Sequence, residues 1–404
     1  MSEWRKLPLK EITVKIGSGS TPTGGSGAYK ETGVSLIRSQ NVLDFSFTNN
    51  GLAFIDEEQA HALRNVIVEP QDVLLNITGD SVARCCSAPR EWLPARVNQH
   101  VAIIRANPKH LDSLFLKYSL ISIKDELLSL SEIGGTRNAL TKSMLENLKL
   151  FVPSVIEQKA IASVLSSIDN KIDLLHRQNK TLESMAETLF RQWFDVDSND
   201  EWQEKNVLDI FTLVGGGTPK TSVAEYWADE IPWISGGDIS AAHQGYLYST
   251  EKSISLAGLH NSSAKLLPKN STVISARGTV GKYALLARDM AFSQSNYGIV
   301  SKIGNYPFFI YLLVGFIVDD LLTAAYGSVF DTITTRTFES VNLKFPSLNS
   351  IEKFNEEISP IFSKKETNTQ QIKTLETLRD TLLPKLMSGD VRVQYAEEAI
   401  ASVA

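Results

Sequence analysis

Cysteine is nearly absent from this chain: the 404 residues hold two, Cys85 and Cys86, and they are adjacent. Adjacent cysteines make no disulfide framework and lack the spacing of a metal-ligand set, which excludes a disulfide-stapled domain and a zinc ribbon. Continuous apolar runs are also short. None reaches the ~18 residues needed to span a bilayer, and the N-terminal "MSEWRKLPLK" has no apolar signal-peptide core. A cytoplasmic protein without membrane association is the expectation. The third absence is an excess of positive charge. The formal net charge is −6; residues 1–150 carry 17 Lys/Arg against 16 Asp/Glu, and residues 200–347 carry 11 against 14. No segment is a basic block, so bulk electrostatics alone would not hold nucleic acid. A site-specific binder with help from other subunits remains open.

Glycine-rich loops are present, and they raise the question of phosphate binding. Val214–Thr221 reads "VGGGTPKT". A nucleotide-binding loop needs G-x-x-x-x-G-K-[ST]. Aligning Lys220-Thr221 to that ending puts Pro219 and Val214 where the two glycines belong, and proline has no N–H for a phosphate. The loop also has a second copy, "IGSGSTPTGG" from Ile16, with no lysine. A loop used twice, once without its supposed functional lysine, belongs to a repeated unit.

The repeat runs the length of the chain. "WRKLPLKEITVKIGSGSTP" (4–22) answers "WQEKNVLDIFTLVGGGTP" (202–219), and "SLIRSQNV" (35–42) answers "PWISGGDI" (232–239). "VEPQDVLLNITGDSVAR" (68–84) answers "LLPKNSTVISARGTVGK" (266–282), and "ARVNQHVAII" (95–104) answers "AFSQSNYGIV" (291–300). "GGTRNALTKSMLENLKLFVPS" (134–154) answers "GSVFDTITTRTFESVNLKFPS" (327–347). Five blocks in order, at an offset drifting from 198 to 193, make a duplication. Each copy is about 150 residues of short β-branched runs broken by Gly, Pro, Asn and Asp, with a few helical pieces; this is α/β or α+β material. One long helix introduced by Pro153 or Pro346 follows. The expected domains are 1–152, a helix over 153–196, 197–346, a helix over 347–392, and a tail over 393–404.

On the first helix a 3–4 spacing holds through Ile161, Leu165, Ile168, Ile172, Leu175, Asn179, Leu182, Ala186, Leu189 and Trp193, a heptad seam. The second carries Phe354, Ile358, Ile361, Lys365, Asn368, Ile372, Leu375, Arg379, Leu382 and Leu386. Pro360 is expected to kink or restart it, Pro384 to kink its last turns, and Gly389 to cap it. Two such helices on one chain invite antiparallel pairing into a coiled coil with pseudo-twofold symmetry. Flush ends bring Asn179 opposite Asn368, where a buried pair would fix register; a solvated or partner-facing break is the alternative.

Two variable α/β segments, each followed by a coiled-coil helix, make the chain resemble the specificity subunit of Type I restriction–modification enzymes. Its Gly-Ser/Gly-Thr-Pro loops carry the resemblance, as does "FVPSVIEQKAIASVLSSIDNKI", which is similar to the family's P-x-x-x-E-Q-x-x-I-x-x-x-L-x-x-x-D. "LRDTLLPKLMSGDVRV" resembles the closing helix of the second repeat. "SLNSIEKFNEEISPIF" departs from the pattern, lacking the Glu-Gln step and holding Pro360. The resemblance implies a sequence-specific subunit for double-stranded DNA. Each segment would be a target-recognition domain reading one half of an asymmetric split target. The helices would dock two methyltransferase (M) subunits, joined by restriction/translocase (R) subunits. About 33 helical residues at ~1.5 Å span ~50 Å, somewhat more than one ~34–36 Å turn of DNA.

Base edges in the major groove are read by Arg, Asn, Gln and smaller polar groups. The first repeat offers Ser20, Thr21, Arg38, Gln40, Asn41, Thr78, Arg84, Asn98, Gln99, Arg137 and Asn138. The second offers Thr218, Lys220, Ser235, Arg277, Thr279, Lys282, Gln294, Asn296 and Arg336. Many are ordinary loop polar groups on the alternative reading; Asp80 and Asp238 cap turns in that case, and His100 is structural. Arg277 and Lys282, flanking "GTVG", are the leading phosphate or base candidates. The glycines are read as allowing close approach to DNA.

Enzyme signatures are missing. An adenine methyltransferase carries Asn/Asp-Pro-Pro-aromatic, and "NPKH" (107–110) lacks the second proline and the ring. There is no P-loop, no P-D…E-x-K cluster, no zinc spacing and no G-x-S-x-G elbow. The expectation is a non-catalytic recognition subunit with no metal or cofactor of its own, S-adenosylmethionine, ATP and Mg²⁺ residing on its partners. The competing readings are a coiled-coil scaffold whose duplicated domains bind a non-DNA partner, and an enzyme using the glycine loops.

Overall fold

The structure, a computed structural model, describes residues 4–22, 24–132, 138–194, 202–326, 332–391 and 393. It divides into two compact units, Met1–Asp173 with Lys373–Ala404, and Leu174–Ile372. Each takes one copy of the repeat together with part of both long helices.

In the first unit the strands are β1 (Arg5–Pro8), β2 (Thr13–Ser18), β3 (Val34–Ile37), β4 (Ala53–Ile55), β5 (Ile67–Val68), β6 (Val73–Asn76), β7 (Cys85–Ser87), β8 (Ala95–Val97), β9 (Val101–Ala106) and β10 (Lys149–Val152). The helices are α1 (Leu9–Ile12), α2 (Glu57–Ala62), α3 (Ser113–Ser122), α4 (Lys124–Glu132), α5 (Lys142–Asn147) and the start of α6 (Val155–Trp193). Two four-stranded sheets form, β2-β9-β6-β7 and β4-β3-β8-β5, with β1 and β10 as a separate ribbon. Side chains alternate across a strand, and the first of these sheets is covered on both faces. Leu74, Cys86 and Ile103 join the core shared with Leu36 and Val97 of the other sheet. Leu75, Cys85 and Ile104 are equally buried; on that side Cys85 Sγ lies 4.0 Å from Lys117 O of α3. Burial pushes the Cys86 thiol up to about 12 and raises Cys85 as well. The cysteine pair is therefore inert apolar packing.

The second unit repeats this plan. Its strands are β11 (Gln203–Asn206), β12 (Phe211–Gly215), β13 (Ile231–Ile234), β14 (Tyr246–Leu247), β15 (Lys252–Ile254), β16 (Leu266–Leu267), β17 (Thr272–Ser275), β18 (Tyr283–Leu286), β19 (Met290–Phe292), β20 (Asn296–Ser301) and β21 (Asn342–Phe345). Its helices are α7 (Val207–Ile210), α8 (Gly236–Ala241), α9 (Leu256–His260), α10 (Pro307–Ala325), α11 (Thr335–Glu339) and the first part of α12 (Leu348–Ser388). The sheets are β12-β20-β17-β18-β14 and β15-β13-β19-β16, with β11 and β21 as a ribbon. Strand for strand this is the topology of the first unit, with β14 added at one edge. Alternation again splits the sheet: Val273, Ala284 and Leu286 face the second sheet's Ile234 and Phe292. Ile274, Tyr283 and Leu285 face α10 through Phe309, Leu313 and Val314. The helix α10, with a mean hydropathy of 2.0, is long and apolar enough to cross a membrane when its two aspartates are counted in. Half of it is buried in this core, which accounts for its composition.

The long helices begin alike. Ser154 Oγ accepts from Glu157 N–H at 3.3 Å and Ser347 Oγ from Ser350 N–H at 3.2 Å, so each "Pro-Ser" supplies an N-cap. Helix α6 has 39 residues and α12 has 41. The expected restart at Pro360 is corrected: α12 runs without interruption through Pro360 and Pro384. It ends where Gly389 takes φ +79°, the left-handed C-terminal cap. Most of the tail, from 394 on, lies outside the described residues.

In the first unit Ile161, Leu165 and Ile168 of α6 and Leu375, Leu382 and Leu386 of α12 are buried. In the second, Ile358, Asn368 and Ile372 are buried, and so is Leu175. Leu182, Leu189 and Ile361, placed on the seam by their spacing, are half-buried instead; the buried side chains at those levels are Glu183, Phe190 and Phe362. A strict heptad drifts ~20° per repeat against a straight helix, and α10 covers the neighbouring flank. Asn368 Nδ2 donates to Asn179 Oδ1 at 3.0 Å, and Asn179 Nδ2 to Thr369 Oγ1 at 3.1 Å.

Both units tie their domain helix to the long helices through a carboxylate of α6 that meets a tyrosine of the domain helix and a cation of α12. In the first, Asp169 of α6 accepts from Tyr118 Oη at 2.6 Å and Lys117 Nζ at 2.9 Å, both on α3, and from Arg379 Nη1 of α12 at 3.3 Å. In the second, Glu183 of α6 accepts from Tyr311 Oη of α10 at 3.0 Å and pairs with Lys365 Nζ of α12. Asp169 and Glu183 are 14 residues apart, as are Lys365 and Arg379, a two-heptad step. Burial pushes Lys365 down to about 8. It raises the Tyr118 and Tyr311 hydroxyls far above their ordinary range, so both remain donors.

Candidate nucleic-acid interface

The polar loops picked out in the first repeat come together at one end of the two sheets. Backbone hydrogen bonds join them: Gly19 N–H to Asn98 O at 3.1 Å, Asn98 N–H to Ile37 O at 3.0 Å, and Ile77 N–H to His100 O at 2.9 Å. Gly79 N–H reaches Asn138 O at 3.3 Å, and Asn76 Nδ2 reaches Ser39 O at 2.9 Å. Ser20, Gln40, Gln99 and Asn138 are exposed, and Thr21, Arg38, Thr78 and Arg84 half-buried. Arg38 lies 5.2 Å from the Tyr29 ring and donates to Gly51 O, which Gln40 Nε2 also reaches at 3.2 Å. Arg137 lies outside the described residues.

The second unit assembles the equivalent loops. Gly217 N–H donates to Phe292 O at 2.9 Å, Ser293 N–H to Ile234 O at 2.9 Å, Ala276 N–H to Ser295 O at 2.9 Å and Ile333 N–H to Ala276 O at 3.1 Å. Thr279 Oγ1 donates to Gly236 O at 3.2 Å. Lys220, Arg277, Lys282, Gln294 and Arg336 are exposed. Among the described residues none of these four cations has an ion-pair partner. Thr218 is half-buried. Ser235 caps α8, its Oγ 2.6 Å from Asp238 Oδ2, and Asp238 Oδ1 accepts from Glu251 N–H at 2.9 Å. Ser235 and Asp238 are thus engaged in the turn.

Burial separates the candidate asparagines from the rest. Asn41 is fully buried, donating to Thr48 O at 3.0 Å and Asn50 O at 3.2 Å. Asn98 is buried and accepts from His100 N–H at 3.1 Å. Asn296 is buried, donating to Ser293 Oγ at 2.9 Å. These three shape their loops from within. The glycines are likewise turned inward. A Cβ on Gly19 would stand 1.6 Å from Val97 O, one on Gly216 2.3 Å from Ser293 O, and one on Gly217 2.2 Å from Ser263 C. Their close approach is to the protein's own neighbouring loop, which replaces the expectation of approach to DNA. The glycine loop is a structural joint in both units.

The hydrogen bonds also set the register between the repeats. Asn98 and Ser293 each donate to the isoleucine ending β3 or β13, and His100 and Ser295 each accept from the residue after β6 or β17. Asn98 thus corresponds to Ser293, Gln99 to Gln294 and His100 to Ser295. The sequence pairing of 95–104 with 291–300 is one residue out. His100 has a defined role: Thr78 Oγ1 and Gln99 Nε2 meet its two ring nitrogens at 2.5 and 3.1 Å. Its position in a loop of polar residues was legible, but not its contacts. No group of three His, Cys, Asp or Glu side chains able to hold a metal occurs among the described residues.

The family model described as the Type I restriction modification DNA specificity domain matches residues 1–184 and 199–377. The chain belongs to this family. It is a Type I restriction–modification specificity subunit carrying two copies of that domain. It is 26% identical to the Type I restriction enzyme MjaIX specificity subunit of Methanocaldococcus jannaschii, over 97% of this chain and 94% of the relative. It is 22% identical to the HindI specificity subunit of Haemophilus influenzae, over 97% and 100%. In fold it is similar to the crystal structure of the M. genitalium Type I S subunit, with a TM-score of 0.60, 14% identity, and 95% and 96% of the two chains covered.

Proposed function

We propose that each unit of this specificity subunit reads one half of an asymmetric, split sequence in double-stranded DNA. One observation carries the proposal: two loop clusters are built on one topology and pinned by equivalent backbone bonds, yet present different side chains. The first offers Arg38, Gln40, Gln99 and Asn138; the second offers Lys220, Arg277, Lys282, Gln294 and Arg336. Equivalent scaffolds with unlike polar tips suit two readers of unlike half-sites. Arg137, outside the described residues, remains a candidate for the first. Phosphate neutralisation by the exposed cations would position the units, and base-edge contacts would specify.

The chain acts by recognition, not by catalysis. The long helices dock two methyltransferase subunits, and restriction/translocase subunits join them. S-adenosylmethionine, ATP and Mg²⁺ belong to those partners. The test is a map of methylated adenines in host cells with and without the gene. A split motif that loses methylation on deletion supports the reading, and exchanging residues 1–152 should then alter one half of the motif alone. If no methylated motif depends on the gene, and none appears when the chain is reconstituted with its methyltransferase, the reading falls.

A further inference from the structure

Gln99 and Gln294 occupy the same place in two loops that otherwise differ. Each is the middle residue of a turn pinned on both sides. The preceding N–H donates to Ile37 O or Ile234 O at 3.0 and 2.9 Å. The following carbonyl accepts from Ile77 N–H or Ala276 N–H, at 2.9 Å in both. Both side chains are exposed. Around them the chemistry has changed: His100 has become Ser295, and Ile77-Thr78 has become Ala276-Arg277. At 294, a pinned backbone and an exposed side chain with no hydrogen-bond partner among the described residues mean that the fold does not need glutamine.

The surroundings of Gln99 set how its amide is offered. Thr21 Oγ1 donates to Gln99 Oε1, and Gln99 Nε2 donates to His100 Nε2 at 3.1 Å. An amide nitrogen donates and never accepts, so His100 Nε2 is the acceptor. Its Nδ1 then carries the proton toward Thr78 Oγ1, at 2.5 Å. A carboxamide has two lone pairs and two N–H donors. Thr21 and His100 take one of each, leaving one acceptor and one donor. That is the set which pairs with N6 and N7 of adenine. Gln294, with Ser295 in place of histidine, offers the same edge without this brace.

We propose that Gln99 and Gln294 each contact adenine of an A·T pair, at equivalent positions in the two halves of the target, with Thr21 and His100 as positioning residues for Gln99. The inference rests on the reading of the chain as a split-site DNA binder. The probe is a library of random duplexes, selected with the full chain purified together with the subunits that accompany it. The parent should select a two-part motif with an adenine in each half. Gln99→Ala should lower preference for A·T at one position of one half by roughly 5- to 150-fold. Gln294→Ala should do so at one position of the other half. Gln99→Glu should turn the preference toward cytosine, whose N4 donates to a carboxylate. His100→Ala should weaken the same preference as Gln99→Ala, to a smaller degree, and leave the other half unchanged.

Both glutamines are exposed, so the variants should fold as the parent does, which circular dichroism would verify. A parent motif left intact by both alanine substitutions overturns the inference while the split-site reading stands. So does a uniform loss of affinity for all sequences, the mark of a phosphate contact. A parent that selects no split motif overturns the reading and this inference together.

Discussion

Asn368 donates to Asn179 at 3.0 Å from a fully buried position between α6 and α12. The amide of Asn179 goes on to Thr369 Oγ1 at 3.1 Å, and Gln178 Oε1 lies 3.4 Å from Asn368 Nδ2. Any slip along the seam would leave these amides buried without partners, and an unsatisfied buried amide costs about 1–3 kcal/mol. The pair therefore fixes the alignment of the second unit's helices. Replacing both residues with cysteine should give a disulfide between positions 179 and 368 under mild oxidation, mapped by mass spectrometry. Cys85 and Cys86 are buried and should stay unmodified in the folded chain. Absence of the crosslink would mean that the helices do not hold this register in solution.

The carboxylate clusters make a sharper demand. Lys365 is 4% exposed and its ammonium pairs with Glu183. Lys365→Met strands a buried carboxylate, with Tyr311 its one remaining donor among the described residues, and should cost about 3–5 kcal/mol. The double variant Glu183→Leu with Lys365→Met removes both charges and should recover most of that loss, because a buried pair rarely outperforms apolar packing. Denaturant unfolding of the three proteins measures it. A double variant as unstable as the single would show that the pair does more than cancel its own desolvation.

Glycine tolerance should follow the geometry of the joint. A Cβ on Gly17 would meet nothing within 4 Å, whereas one on Gly19 overlaps Val97 O. Gly17→Ala should leave stability within about 0.5 kcal/mol of the parent. Gly19→Ala should push the turn holding Gln99 out of place and abolish half-site selection. Affinity and thermal melting of the two variants test this, and equal behaviour would remove the joint from the account.

Asp56 caps α2, accepting from Gln59 N–H at 2.9 Å, and that backbone bond holds its carboxyl below the usual 3.8. A folded value below the unfolded one means that the stabilisation is present above about pH 4. It is lost as pH falls through the lower folded value. Asp56→Ala should lower the melting temperature at neutral pH, and the gap to the parent should close on acidification. A gap that persists at low pH would assign the loss to something other than the ionised cap.

Much of this architecture was legible because it is written as a period. The duplication, the two long helices and the opposition of Asn179 to Asn368 all follow from spacing. Polar side chains in loops carry no such period. Asn41, Asn98 and Asn296 look like readers in the sequence, yet the loop backbones need their amides inside. The same blindness explains Glu183: as a charged residue beside Leu182 it reads as solvent-facing until α10 brings Tyr311 to it. The one-residue slip at Gln99 has a similar cause, since two alanines, Ala95 and Ala291, invite an alignment that strand pairing refuses. Ala95 pairs with Ser35, whereas Ala291 pairs with Trp233, the counterpart of Leu36.

Arg277 and Lys282 flank a turn whose Gly278 and Gly281 take φ +78° and +80°. Both cations are exposed and unpaired among the described residues, while Thr279 anchors the turn to Gly236 O. A phosphate contact and a base contact at these positions give different signatures. Each phosphate contact contributes about 0.9 to the slope of log K against log salt on duplex DNA. If Lys282 serves a phosphate, Lys282→Ala should flatten that slope by about one and weaken matched and mismatched sites alike. If Arg277 reads guanine, Arg277→Ala should cost about 1–3 kcal/mol at the matched site and relax one position of one half-site. Titrations at several salt concentrations, on the selected site and on a scrambled duplex, assign the two roles. A variant of either residue that changes neither slope nor preference removes that residue from the interface.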